Sequence, residues 1–382
     1  MDGLFHGGRL LSLLIASRPG LALSILITGN PYPFCAILRR SGLWCRRLSG
    51  SVPPVVTAPP AFLARFSDPE QLMGAIRGAD LDPCQLTSRP AVSEISRIAF
   101  AGSTLDTASL GPGFAVTGTT ARDCFTLIYS HDCPQPAKSF HFSMTHGPGI
   151  LGWYQPGGDI EVITPAGFGT ITLTIPTATF LTALETHFPE ATDSILSRSA
   201  ALMPDPAALR QINNLVAGLR PLAESQGQDP DTARILALAE TEVIDAFAVA
   251  FRSGCSAHRP ASDSRLSRRF QKLRATRDFI HAHLGQPLCT NDLCAAVGLS
   301  RRGLETLCRD LLDISPKTYL LHQRLHGVRR SLIASEPKPG TIKRIALEWG
   351  FWHLGRFAAD YRTIFGEGPT QTLARRRGTM PD

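Results

Sequence analysis

Residues 341–369 read TIKRIALEWGFWHLGRFAADYRTIFGEGP, and this stretch decides the fold. Ile342, Ile345, Ala346 and Trp349 recur at helical spacing, Gly350 breaks the run, and the pattern resumes with Phe357, Tyr361 and Phe365. Two short helices meeting at a glycine turn make a helix-turn-helix. The second helix, from His353 to about Ile364, sets its aromatic residues on one side and turns His353, Arg356, Asp360 and Arg362 outward, as a helix lying in a DNA major groove requires. Gly366 supplies a left-handed stop, and Pro369 can open a last helical turn.

The pattern I-x-x-I-A-x-x-x-G-F, then F-x-x-x-Y-x-x-x-F-G-x-x-P, is carried by Ile342, Ile345, Ala346, Gly350, Phe351, Phe357, Tyr361, Phe365, Gly366 and Pro369. It resembles the signature of the AraC/XylS transcription regulators. The longer string GFWHLGRFAADYRTIFGEGPTQTL is most similar to the branch of ethanolamine-utilisation regulators. The resemblance implies two tandem helix-turn-helix units on double-stranded promoter DNA, preceded by a cupin-like barrel that senses a small-molecule effector. It also implies a cytoplasmic homodimer that works with RNA polymerase. For that branch the effector expected is an amine or cobalamin.

Working back from this stretch, Leu266 to Leu284 reads as an entry helix with Phe270, Leu273, Phe279 and Ile280 inward. Residues 290–316, TNDLCAAVGLSRRGLETLCRDLLDISP, then form a first helix-turn-helix, with Thr290 as cap, Gly298 at the turn and Ser300 capping the reading helix. Leu293, Val297, Leu304 and Leu307 supply its small core. Its expected DNA-binding residues are Arg301, Arg302, Glu305, Thr306 and Arg309; those of the second unit are Lys343, Trp352, His353, Arg356 and Arg362. Arginine suits guanine O6 and N7 and glutamate suits cytosine N4, each good pair discriminating by about 1–3 kcal/mol. An isolated pair of arginines is more often a solvated face, but beside a second such motif the balance reverses.

The first unit departs from the family pattern at four places. Cys294 stands where Ala is usual, Thr306 where Arg is frequent, Cys308 where Phe is usual and Asp313 where the turn glycine is usual. Asp tolerates a left-handed turn, so the fold survives. Gly303 weakens the reading helix by roughly 1 kcal/mol relative to Ala. A helix from Pro316 to Ala334 joins the units, and its roughly 28 Å approach the ~34 Å between successive major grooves on one side of a duplex. Arg324, Arg329, Arg330, Lys338, Lys343 and Arg344 lie around it, either on phosphates or as a solubilising surface.

The 382 residues suffice for two or three domains, and a hydrophobic fraction of 43% is that of an ordinary globular chain. Charge divides them: residues 265–377 carry a net +12 and residues 58–264 a net −9. A basic end beside an acidic middle is the footprint of a nucleic-acid module joined to something that avoids phosphate. Nine cysteines show no C-x-x-C pair and no zinc spacing, and Cys294 and Cys308 read as reduced core thiols.

Residues 1–57 hold two apolar runs split by Arg18, Pro19 and Gly20, so no span of about 20 apolar residues exists for a membrane helix. They read as a poorly ordered leader or an over-extended start of translation. Within residues 58–200, Asp68 caps a short helix that ends at Gly78. The alternating runs SEISRIAF, FAVTGT, CFTLIYS, KSFHFSM, GILGWYQ, DIEVITP and GTITLTIP then argue for an antiparallel barrel or sandwich. Residues 201–263 form a helical linker with apolar stripes in Pro206–Arg220 and Asp231–Arg252, packed on the barrel or used for dimerisation. Residues 264–378 are the DNA-binding domain.

The fold class expected is therefore multidomain α+β. The alternative from another class is a cupin-type metal enzyme with a vestigial DNA-binding tail. Against it, His141 and His146 are five apart, which sets them on opposite faces of a strand, and no H-x-H ligand pattern exists. His131, Asp132 and Cys133 read as a solvated turn. Catalytic residues, metal and cofactor are expected to be none. Trp153, Tyr154, Phe168 and Phe125 are core or barrel-mouth aromatics, and some of them can line an effector pocket.

Overall fold

Period-two alternation in the first part of the acidic middle yields strands, from Ala61 to Pro176 with one short helix between the first two. The computed structural model describes residues 60–139, 144–187, 199–225, 231–256 and 263–374; the expected leader and His141 lie outside them. Strands β1 (Ala61–Phe66), β3 (Ser93–Ala99), β4 (Thr104–Leu110), β11 (Phe168–Pro176), β6 (Cys124–Asp132), β9 (Leu151–Tyr154) and β12 (Ala200–Leu202) form, in that order, a seven-stranded sheet. A five-stranded sheet runs β2 (Ala79–Gln85), β5 (Phe114–Thr120), β10 (Asp159–Thr164), β7 (Ala137–Ser139) and β8 (Met144–His146). All pairings are antiparallel.

Of the two antiparallel arrangements expected, barrel or sandwich, the strands form two separate sheets that face each other, and among the described residues neither sheet closes on itself. Ile95, Leu110 and Phe168 of one sheet and Val116 and Val162 of the other line a common interior cavity. Strands β1, β2, β4 and β12 have no counterpart among the alternating runs. Pro83 and two aspartates mask β2, which tolerates a proline because it is an edge strand. His131 and Asp132 end β6 instead of forming a turn.

The outer face of the larger sheet is covered by helices α2 (Thr177–His187), α3 (Pro206–Glu224) and α4 (Thr232–Ser256). Phe125 stacks on Phe180 at 4.8 Å and Trp153 meets Phe251 edge-on at 5.0 Å, so these aromatics are core and line no pocket. Each such fully buried side chain contributes about 1.5–3 kcal/mol. The stripes of α3 and α4 thus bury against their own sheet, while Ile235 and Leu238 of α4 stay exposed. Asp68 caps α1 (Pro69–Ala75), accepting from the amides of Glu70 and Gln71.

The basic third is all helix: α5 (Ser264–Ala282), α6 (Thr290–Val297), α7 (Arg301–Leu312), α8 (Pro316–Ile333), α9 (Thr341–Glu348), α10 (Leu354–Phe365) and α11 (Pro369–Ala374). With the sheets it belongs to one compact unit, residues 58–382. Among the described residues Cys308 is fully buried, Cys294 partly so and Cys289 exposed, and none of these three is in a disulfide.

Candidate nucleic-acid interface

In the first unit, α6 and α7 meet at Gly298, whose φ of 63° needs the left-handed region. Thr290 is the first helical residue and not the cap; Asp292 instead reaches back to accept the Cys289 amide at 2.6 Å. Ser300 caps α7 by accepting from the Gly303 amide, and Asp313 ends it in the left-handed conformation at φ 58°. Leu304, Leu307, Cys308 and Leu311 are buried, which turns Arg301, Arg302, Thr306 and Arg309 to solvent. Glu305 is half-buried and accepts from Arg301 at 3.3 Å, so it is less free for a base than its neighbours.

In the second unit, α9 and α10 meet at Gly350, with φ 78°, and Gly366 closes α10 with φ 71°. Phe357, Tyr361, Ile364 and Phe365 pack on Leu325, Val328 and Leu332 of α8 and on Ile345 and Ala346 of α9. The outward surface then presents Lys343, Trp352, His353, Arg356 and Arg362, all exposed. His353 is the residue before the helix and makes no side-chain cap. Asp360, one turn on from Arg356 on the same side of α10, is half-buried and lies 3.8 Å from it. Gly327 lets α8 receive Trp349: a Cβ there would meet the indole ring at 2.0 Å.

Three of the six cations placed around the joining helix face inward. Arg329 is 1% exposed. It donates to Glu70 at 2.6 Å, to Glu367 at 2.8 Å and to Asp68, and its guanidinium lies over the Phe365 ring. Arg330 pairs with Asp82, and the buried Arg324 donates to the Gln286 carbonyl at 2.7 Å. Lys338, Lys343 and Arg344 remain outside.

Arg329 and Arg330 belong to a polar clamp between α8 and the sheet domain. The Gln85 amide donates to His326 Nε2 at 2.9 Å, which puts the proton of a neutral ring on Nδ1, 3.4 Å from Glu70. His322 Nδ1 donates to the Gln85 carbonyl at 2.8 Å, and the Gln85 side chain donates to the Ile364 carbonyl. Burial lowers His322 to about 4, against the opposing pull of the Gln85 hydrogen bond. Burial would raise Glu70, but the His326 ring and the Arg329 guanidinium outweigh it and hold that carboxyl at about 2. Sequence could not have found this cluster, because Arg329 and Asp68 are 261 residues apart.

A family model for a helix-turn-helix domain matches residues 293–375. The probable thc operon regulatory protein of Rhodococcus erythropolis is 34% identical over 101 residues, 26% of this chain and 30% of the relative. XylDLEGF operon transcriptional activator 3 of Pseudomonas putida is 35% identical over 99 residues, with the same coverage. A solved transcriptional regulator of Chromobacterium violaceum, described as having an AraC-type DNA-binding domain, is 32% identical. The likeness covers 28% of this chain and 94% of that one, with a TM-score of 0.27. The C-terminal domain belongs to the AraC/XylS family. The AraC-type match spans less than a third of the length of the Rhodococcus and Pseudomonas relatives, and neither lends support to the narrower ethanolamine branch.

Proposed function

We propose that the chain is a sequence-specific DNA-binding transcription regulator controlled by a small-molecule effector. The observation that carries this reading is the division of the basic residues. Arg301, Arg302, Arg309, Arg356 and Arg362 face solvent on two reading helices, while Arg329 and Arg330 of the joining helix are withdrawn to acidic groups of the sheet domain. The outward set reads bases; Lys343 holds phosphate.

The effector site in this reading is the cavity between the two sheets. It has a volume of about 120 Å³ and contains the side chains of Tyr154 and Phe168, the two aromatics that do not join the helix-covered core. That is close to the ~150 Å³ of an apolar cavity known to admit benzene, so a small, largely apolar molecule suits it and cobalamin is far too large. Thr126 and Thr164 point buried hydroxyls without hydrogen-bond partners at this space.

Helix α1 connects the cavity to the clamp. Met73, together with Ile76 and Arg77 just after the helix, lines the cavity, and Asp68 and Glu70 at its start hold Arg329. A ligand that shifts α1 biases the clamp, and with it the freedom of both readers to sit on DNA together. Promoter DNA, the effector and RNA polymerase are the partners. Two copies acting in the cytoplasm complete the reading, with exposed Ile235 and Leu238 as the face available for pairing.

No observation favours the enzyme alternative. Among the described residues no three His, Cys, Asp or Glu side chains gather as a metal site. Genome-wide footprinting tests the proposal: enrichment at defined promoters, altered by the metabolite of the neighbouring genes, is expected. Uniform occupancy indifferent to metabolites overturns it.

A further inference from the structure

The two reading helices present different chemistry at their first turns. On α7 the exposed residues there are Arg301 and Arg302, followed by Gly303, whose position packs on the Ser300 cap. On α10 the first turn offers Leu354 and Gly355 before Arg356, with exposed Trp352 and His353 just ahead of the helix. Trp352 and Leu354 are two of the few large apolar side chains exposed among the described residues, at 60% and 37%. Neither joins the hydrophobic core formed by α8–α11. Leucine has no group with which to answer the hydrogen-bonding edge of a base. The one feature of the major groove it can recognise is the methyl group of thymine.

Gly355 supports the same conclusion independently. Its φ is not positive, and a Cβ there would meet no atom within 4 Å, so neither backbone strain nor packing requires a glycine. Glycine inside a helix weakens it relative to alanine. On an exposed first turn its remaining effect is to let the backbone approach a partner closely. Arg356 completes this turn, and exposed Lys343 and Arg362 add positive charge elsewhere on the second unit, which matches a polyanion.

We infer that the second unit reads thymine methyl groups, with Leu354 as the contacting side chain, Trp352 flanking it and Gly355 allowing the approach. The second unit thus adds methyl contacts to the hydrogen-bonding readout by Arg356, whereas the first unit, with Arg301 and Arg302 at the matching turn, reads hydrogen-bonding edges alone. This rests on the DNA-reading function proposed above.

The test selects binding sites from random duplexes with the full chain and then exchanges each thymine in turn for deoxyuracil, which removes the methyl alone. One or two exchanges under the second unit are expected to weaken binding by about four-fold each, the value of one buried carbon. Leu354→Ala and Leu354→Gln, both at an exposed position, are expected to abolish that penalty, whereas Arg302→Ala retains it. A selected site indifferent to deoxyuracil, or a penalty unchanged in both Leu354 variants, overturns the inference and leaves DNA reading intact. Failure to enrich any sequence overturns the DNA reading itself.

Discussion

The two helix-turn-helix units are fastened to the sheet domain by different means. The first shares an apolar core with it: Leu86 and Ile163 cluster with Phe270, Leu273, Leu311 and Tyr319. The core of the second contains only residues of the basic third, and that unit is tied to the sheets by Arg329, His322, His326 and Gln85. Apolar burial is indifferent to pH and to the position of one side chain. A buried ion cluster depends on every member being present. The first attachment also carries ion pairs, Glu161 accepting from Arg274 at 2.6 Å and from Arg277 at 3.4 Å. It keeps a shared apolar core that the second lacks, so the second is the one a signal changes more readily.

Removing one member should break the second attachment most severely. Arg329→Ala leaves Asp68, Glu70 and Glu367 facing one another and should destabilise the folded unit by about 3–5 kcal/mol, measured by urea denaturation. An equal loss from Leu86→Ala and a small one from Arg329→Ala would reverse the comparison.

Acid acts on the same clamp through His322. Its folded-state value of about 4 lies below the ordinary 6.5, so the unfolded chain takes up the proton first. The His322 contribution is full above pH 6.5 and is lost between 6.5 and 4; below that, Glu70, held at about 2 against an ordinary 4.5, continues the loss. The His322 share is about 3 kcal/mol at most. Denaturation across that range should show a steeper slope in the wild type than in His322→Gln, where His131 and His281, also lowered by burial, still contribute.

Gly327→Ala sharpens the view of the second core. The indole of Trp349 cannot retreat easily, because its Nε1 donates to Ser331 at 3.1 Å. Overpacking at about 1–3 kcal/mol outweighs a helix-propensity gain of about 1 kcal/mol, so the melting temperature should fall.

The smallest effects separate readers from holders. Arg302→Ala and Arg356→Ala should each cost about 1–3 kcal/mol at particular base positions, whereas Lys343→Ala should weaken all sequences alike and reduce the salt slope by about 1. Equal loss on every sequence from all three, in quantitative binding to a panel of duplexes, would refute the assignment of readers.

The second unit was almost wholly legible because its determinants are local: Gly350 and Gly366 at the turns, and Phe357, Tyr361 and Phe365 one helical turn apart. Caps were legible for the same reason at Ser300 and Asp313, and missed at Cys289, where the acceptor sits three residues on at Asp292. Strand β2 was hidden by Pro83, whose tolerance depends on an edge position that only the sheet order reveals. Arg329 read as one more surface cation because the residues that bury it come from distant parts of the chain. Leu354 was passed over because nothing in spacing distinguishes an outward leucine from a core one.

Hydroxyl-radical footprinting of the full chain on a selected site tests the central claim most directly. Two protected segments on one side of the duplex, one helical turn or roughly 10 base pairs apart, are expected from two readers joined by α8. A single protected groove, or none at low salt, would contradict it.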